Sequence, residues 1–472
     1  MLYSRHVVDP KIVPRAEHGI SRNQIDADAL RVMYRLHQSG YRAYLVGGGV
    51  RDLLLGRRPK DFDIGTDAHP YQIKKLFRNC WIIGRRFRLA HVRFGPTKVV
   101  EVATFRRLIV PGTETEPAVV DTPTDAPLAL ATDGQPSVNL GEGITLTTDT
   151  SSDVQPPSSP AARIVHDDNT FGTPEEDAFR RDFTINALFY DIGTLSIIDY
   201  TGGIDDLRAG IVRCIGDPNE RFQEDPVRMM RALVFAARLD FAVDEPVRDA
   251  IARHKLYIEH ASPARVLEEF YKILRSGYAA RTFAALSDTG LLQHIAPEFP
   301  ERLPARLVEA LERLDAYRTL TAEVPPNLSN PVLLATLLVP LGMLTPRSRR
   351  GHDEDEFAAA RGPALGRLPL ARKDLERIGH MLTMQSRLAE MEMHPRRQRG
   401  MVMRPSFTDA LTWMDIHGDA PDVVDHWQQV IIDMPPDEER SSHDRAPAGP
   451  GAPVAERHDG RQPRRRRRGR RR

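Results

Sequence analysis

Two carboxylates open the chemistry of this chain. Asp61 and Asp63 stand one residue apart in GGGVRDLLLGRRPKDFDIGT, residues 47–66. On an extended strand, alternate side chains share a face, so the two acids project together while Phe62 and Ile64 turn toward a core. Carboxylates held that close repel each other unless a cation lies between them. A divalent metal pair meets that need, and it can activate an attacking hydroxyl while steadying a leaving pyrophosphate. Gly47, Gly48 and Gly49 allow a ligand close to the backbone, and the helix that follows offers free N–H groups to anionic oxygens. Arg51, in the first turn of that helix, is badly placed for the helix dipole and well placed for phosphate. An isolated D-x-D pair is most often two surface acids in a turn. A glycine turn and an Arg-Asp pair about ten residues earlier point instead to a metal and triphosphate site.

The elements around this segment are short and mixed. YRAYLV (41–46) reads as a strand, VRDLLLG (50–56) as a helix, DFDIGT (61–66) as a second strand and residues 70–79 as a helix opened by Pro70. A hairpin is predicted over 81–94, and a strand, KVVEVATFR, over 98–106, where Glu101 is an odd acid among β-branched neighbours. RRDFTINALFYD (180–191) reads as an N-capped helix with Asp182 at the cap, and 195–203 as a strand running into a turn. Beyond Asp217 the pattern is helical, with helices predicted over 224–239, 262–277, 304–318, 328–343, 372–391 and 406–416. Asp225 and Pro226 mark the start of the first of these. Strands and helices in this arrangement predict an α+β chain.

Five motifs in order, LVGGGVRD with DFD, RRDFTINALFY, DYTGGIDDL, EDPVR and ARVLEEFYKIL, give the stretch from Tyr41 to Gly277 its likeness. It resembles the nucleotidyltransferase superfamily that includes DNA polymerase beta. More narrowly it resembles the class II branch of bacterial poly(A) polymerases and CCA-adding tRNA nucleotidyltransferases. The resemblance implies a polymerase-beta-like catalytic head, here residues 25–216 after a leader at 1–24. A helical neck at 217–277, a helical body at 278–434 and a tail at 435–472 follow. It implies that Asp61 and Asp63 bind two magnesium ions, with Asp182 as a third active-site acid; Glu101 is the other candidate for that place. Gly48, Gly49, Arg51, Arg180 and Arg181 are expected on the nucleotide and its phosphates. Asp225 and Arg228, three apart on a helical turn, are expected to read the base edge. Gly202 and Gly203 are expected to form a flexible hinge between head and neck.

IIGRRFRLAHVRF (82–94) looks like the poly(A) polymerase branch. It implies a template-independent polynucleotide adenylyltransferase that adds AMP from ATP to RNA 3′ ends, with RNA-decay machinery as a further partner. The related alternative is a CCA-adding enzyme, and the alternative of another class is a non-catalytic RNA-binding protein. Charge distribution agrees with an RNA partner. The formal net charge is only +1, yet residues 464–472 hold eight arginines, while 111–162 carries carboxylates and neither Lys nor Arg. That acidic, Pro- and Thr-rich stretch and the basic tail are predicted to be disordered. The arginines suit sequence-blind binding to phosphate backbones. Two lone cysteines, Cys80 and Cys214, exclude a disulfide framework and a cysteine zinc site. No apolar run is long enough to span a membrane, and the N-terminus lacks the apolar core of a signal peptide, so a cytoplasmic protein is predicted.

Overall fold

The computed structural model of the chain describes residues 9–84, 88–96, 98–107, 171–320, 328–344 and 364–434. The acidic stretch 111–162, Arg85, Arg86 and the tail from 435 onward lie outside the described residues.

An eight-stranded mixed sheet organises the first part. Its order is β1 (Lys11–Val13), β8 (Ile197–Asp199), β7 (Leu188–Asp191), β2 (Ala43–Val46), β3 (Ile64–Thr66), β6 (Lys98–Thr104), β5 (Leu89–Phe94) and β4 (Cys80–Ile83). All neighbours run antiparallel except β3 and β6, which pair in parallel with Ile64 opposite Val102. A parallel pair needs a long crossover, and α3 (Pro70–Leu76) with the β4–β5 hairpin supplies it. Helix α1 (Ala27–Gln38) buries Ala29, Val32, Met33 and Leu36, and Asp26 caps it by accepting from the N–H groups of Asp28 and Ala29. Tyr44, Val46, Phe105, Phe189 and Ile198 form a core beneath the sheet, with aromatic ring centroids about 6 Å apart.

Three expectations are corrected here. Part of the leader is ordered, because Lys11–Val13 pairs with β8 as an edge strand. RRDFTINALFYD is not a helix: Thr184–Asn186 forms one 3₁₀ turn and Leu188–Asp191 is β7. Leu188, Phe189 and Tyr190 are all fully buried, as a strand between two others requires, and burial on both faces overrides the helix-like pattern. The turn at Gly202–Gly203 is tied down, since Asp199 accepts from the N–H groups of Thr201, Gly202, Gly203 and Ile204.

After α4 (Pro174–Phe179), α5 (Gly203–Ala209) and the small β9 (Ile211–Val212) and β10 (Ala242–Val243) pair, the chain is helical. The helix expected over 224–239 is two elements, α6 (Pro218–Glu224) and α7 (Val227–Leu239). Asp225 between them is extended at φ −147°, ψ 95°, the region forced on a residue that precedes proline. Helices α8 (Glu245–His254), α9 (Pro263–Leu274), α10 (Ala279–Asp288), α11 (Leu291–Ile295), α12 (Ala305–Leu320) and α13 (Asn330–Leu338) follow. Phe270 stacks on Phe283, and Asp315 accepts from the first two N–H groups of α10.

The chain divides into two compact units, Met1–Thr383 and Met384–Arg472, and the division falls within α14 (Arg372–Leu388). In the second unit α15 (Pro395–Val402), α16 (Phe407–His417) and α17 (Pro421–Ile432) enclose Trp427, whose indole N–H donates to the Leu388 carbonyl. No helix among the described residues is long and apolar enough to cross a membrane.

Candidate active site

The glycine turn leads from β2 into helix α2 (Gly48–Leu54). Gly47 lies at φ +69°, where a side chain is strained, and a Cβ there would sit 2.9 Å from Nη1 of Arg181. The α2 helix rests against the backbone leading to β3: a Cβ on Gly49 would stand 3.5 Å from the Asp61 carbonyl. Strand β3 starts at Ile64, so Asp61 and Asp63 occupy the extended approach to it and not the strand itself. Pairing nevertheless reaches Asp63, whose carbonyl accepts from the Val46 N–H at 3.0 Å. Phe62 turns elsewhere and lines a cleft with Leu53 and Arg57.

Electrostatics tie these acids together. Asp63 is open to solvent at its outer edge, yet much protein crowds it. That burial first, then the negative charges of Glu101 and Asp61, raise its pKa to about 6, with Arg181 pulling the other way. Glu101 extends from β6, one strand over from β3, and its carboxylate lies 3.5 Å from Nε2 of His91. The acid facing Asp63 across the sheet is therefore Glu101.

Asp182 is bound differently. It is mostly buried, accepting from the Phe183 N–H, from Asn186 and from Arg231 of α7 at 2.7 Å. Burial would raise its pKa, but Arg231 and those hydrogen bonds outweigh it and hold it below the ordinary carboxylate value. Its carboxylate is thus tied to Arg231, Asn186 and the Phe183 N–H, and it is Glu101 rather than Asp182 whose charge acts on Asp63. Nor is Asp182 the cap of a helix: the one 3₁₀ turn that follows has Phe183 at its N-cap, with no side-chain capping bond.

Arg51 also departs from expectation. Its side chain is 2% exposed and each of its nitrogens makes a bond: Nε and Nη2 to Asp52, and Nη1 to Asn186 at 2.6 Å. It bonds the glycine-turn helix to the 180–186 turn and does not extend toward the acids. Arg180 and Arg181 both grip Asp177, which is buried, and Arg181 also donates to the Asn186 carbonyl. Burial would raise the Asp177 pKa, but the two guanidiniums hold it low. Arg181 so fixed brings positive charge to the glycine turn and to Asp63.

Asp225 and Arg228 meet at the α6–α7 junction. Asp225 is held by both terminal nitrogens of Arg265, at 3.2 and 2.8 Å. Arg228 donates to Glu224 and to the Arg221 carbonyl. Arg88 sits at the end of the β4–β5 turn with φ +40°. Sequence reasoning missed Asp177, Glu224 and Arg265. The first two were findable, since Asp177 precedes its arginines by three and four residues and Glu224 precedes Arg228 by four, the spacings that pair on a helix. Arg265 carried no local signal.

Among the described residues no set of three or more His, Cys, Asp or Glu side chains forms a ready metal cage. Magnesium does not ask for one. It takes one or two protein carboxylates and completes its octahedron with water and substrate phosphates. Hard oxygen donors such as Asp63, lifted by burial and by the charges of Glu101 and Asp61, fit such an ion.

A mixed sheet carrying a glycine turn beside paired acids, followed by a helical neck, is the fold of a nucleotidyltransferase. In keeping with it, the solved CCA-adding enzyme of Bacillus stearothermophilus in complex with CTP superposes with a TM-score of 0.54 at 26% identity, covering 89% of this chain and 88% of that one. Within that class, residues 43–213 match the family described as the poly A polymerase head domain, and residues 240–303 match the family described as the probable RNA and SrmB-binding site of polymerase A. The Poly(A) polymerase I of Salmonella typhi is 42% identical over 305 residues, 65% of this chain and 57% of that protein. That of Escherichia coli O157:H7 is 44% identical over 286 residues, 61% and 53% of the two chains. The CCA-adding enzyme of Lactobacillus helveticus is 33% identical over 271 residues, 57% and 55%. The chain thus spans little more than half the length of these curated relatives.

Proposed function

We propose that this chain is a template-independent polynucleotide adenylyltransferase, adding AMP from ATP to RNA 3′ ends. The observation that carries it is the placing of Asp63 next to the Gly47 turn with Asp61 and Glu101 as its acidic neighbours; burial first, and then their negative charge, raises Asp63 to about 6, and a cation would relieve both. Relatives named Poly(A) polymerase I at 42–44% identity support adenylation over CCA addition, whose named relative stands at 33%.

In this reading Asp61 and Asp63, with Glu101 as the third acid, hold two magnesium ions. When bound, the metal supplies positive charge that lowers the pKa of the RNA 3′-hydroxyl and offsets the charge of the departing pyrophosphate. Gly48 and Gly49 offer the triphosphate first-turn N–H groups that have no carbonyl partner within α2. Arg181, with Arg180 beside it, brings the charge that meets the phosphates. Asp225 and Arg228 present an acceptor and a donor to the Watson–Crick edge of adenine, a protein surface in place of a template. The neck, body and arginine tail hold RNA by its backbone, so the target is set by 3′-end access more than by sequence. Tailing would then hand RNA to decay machinery in the cytoplasm.

Purified chain, magnesium and a generic RNA, incubated with each NTP singly, test the reading. Long tracts from ATP support it, and Asp61→Ala or Asp63→Ala should end transfer while leaving the fold intact. Addition of C and then A, on tRNA only, would identify the CCA-adding alternative. Binding of RNA with no release of pyrophosphate would mark a non-catalytic RNA-binding protein.

A further inference from the structure

Helix α7 begins at the base-reading turn and then runs against the head. Three of its side chains, Arg231, Phe235 and Arg238, recur at i, i+4 and i+7 and so lie along one stripe. Arg231 grips Asp182 with Nε at 2.7 Å and Nη2 at 2.6 Å. Arg238 donates to Asp52 at 2.9 Å. The Phe235 ring takes the Arg231 guanidinium at 5.4 Å and the Arg51 guanidinium at 5.2 Å, with Phe183 edge-on at 5.6 Å. Asn186 closes the circuit, donating to Asp182 and accepting from Arg51. A single polar network thus joins the Gly47 helix, the 180–186 turn and the helix that carries Arg228. The cation–π contacts and a charge pair whose carboxylate is mostly buried resist separation, so α7 is held in one register on the head.

Arg228 lies one turn before Arg231 and Asp225 just ahead of α7, while Arg181, next to Asp182 in the chain, reaches the Gly47 turn. How the two halves of a nucleotide would be gripped, base on one and phosphates on the other, therefore depends on where Arg231 fixes α7. A second tether, Arg221 donating to the carbonyls of Arg180 and Arg181, holds α6 and not the α7 stripe.

We propose that Arg231, through Asp182 and with Phe235 packed between it and Arg51, is a positioning residue that sets nucleobase choice by fixing the Asp225–Arg228 turn relative to the Gly47 turn. This rests on the adenylyltransferase reading above. Arg231 touches no reacting atom, so its loss should act on selection more than on chemistry. The test measures kcat/KM for ATP and for CTP on one RNA primer with the full chain. Arg231→Met should lower the ATP to CTP ratio at least tenfold, chiefly by raising KM for ATP, and Arg231→Lys should restore part of it. Leu311→Ala, which opens a cavity in α12 far from the network, is the stability control; it should lower Tm and leave the ratio unchanged. A ratio in R231M within twofold of the parent, with Tm falling as in L311A, overturns the proposal. If R231M does not fold, R231K and D182N, which keep side-chain volume, carry the same comparison, and an unchanged ratio in both overturns it. Failure of the underlying reading looks different: the parent chain itself would transfer no AMP or fail to prefer ATP.

Discussion

At the scale of single residues, the informative groups are those under electrostatic tension. Asp63 has a folded pKa of about 6 against an ordinary value near 3.8. A carboxyl whose pKa is raised by folding is easier to protonate in the native state, so it favours folding at low pH, and that contribution is lost as pH rises from about 4 to about 6. Metal-free protein should therefore lose a little stability across that window, and Asp63→Asn should remove the slope. Solvent at this open position limits the effect to within about 1 kcal/mol. Urea titrations of parent and variant in EDTA at pH 5 and 7 check it, and a parent whose stability changes with pH no differently from that of Asp63→Asn would refute the assignment. Magnesium needs the ionised carboxylate, so apparent metal affinity should fall as pH drops below 6. Arg51 gives the opposite case, a charge already matched. Arg51→Met leaves the Asn186 acceptor unpaired and Asp52 with Arg238 only, and should cost about 3 kcal/mol in urea unfolding. Were Arg51 a phosphate ligand, KM for ATP would rise sharply while stability held.

Elements show why those residues stand where they do. The glycine turn works because φ +69° at Gly47 bends β2 into α2 and leaves room for Arg181. Gly47→Ala should cost about 1–2 kcal/mol from the left-handed backbone. It should reduce transfer further than that loss of stability explains, because the new methyl displaces Arg181. Single-turnover rates at fully folding temperature, set beside urea curves, separate the two effects; a rate that falls only with stability would mean that Arg181 has no part at the turn. Local pattern made this turn, the D-x-D segment, Glu101 and most helices legible, since each rests on spacing within a few residues. It misread RRDFTINALFYD, because the pairing of β7 between β2 and β8 is decided by strands more than a hundred residues away and a few residues on. The contacts of Arg51 and Asp182 were only half legible for the same reason: Asp52 stands next to Arg51, but Asn186 for Arg51 and Arg231 for Asp182 come from distant chain positions.

Across the whole molecule, charge is segregated, and that segregation makes a last prediction. Removing residues 464–472 deletes eight arginines and takes the formal charge from +1 to −7. A chain of net charge −7 repels RNA at long range, so both affinity and association rate should drop at low salt. Each arginine on a phosphate releases condensed counterions, and for single strands the slope of log K against log salt changes by about 0.7 per contact. If all eight engage, the truncated chain should bind RNA with a slope shallower by roughly five to six, and its affinity should converge with the parent's as salt is raised. Transfer to a primer of a few nucleotides should be little changed, since the acids, the glycine turn and the base-reading turn belong to the head and neck. Titrating fluorescent RNA at several salt concentrations measures the slope directly. Equal slopes for the two chains would show that the arginines do not contact RNA, and would leave the neck and body to supply the backbone grip.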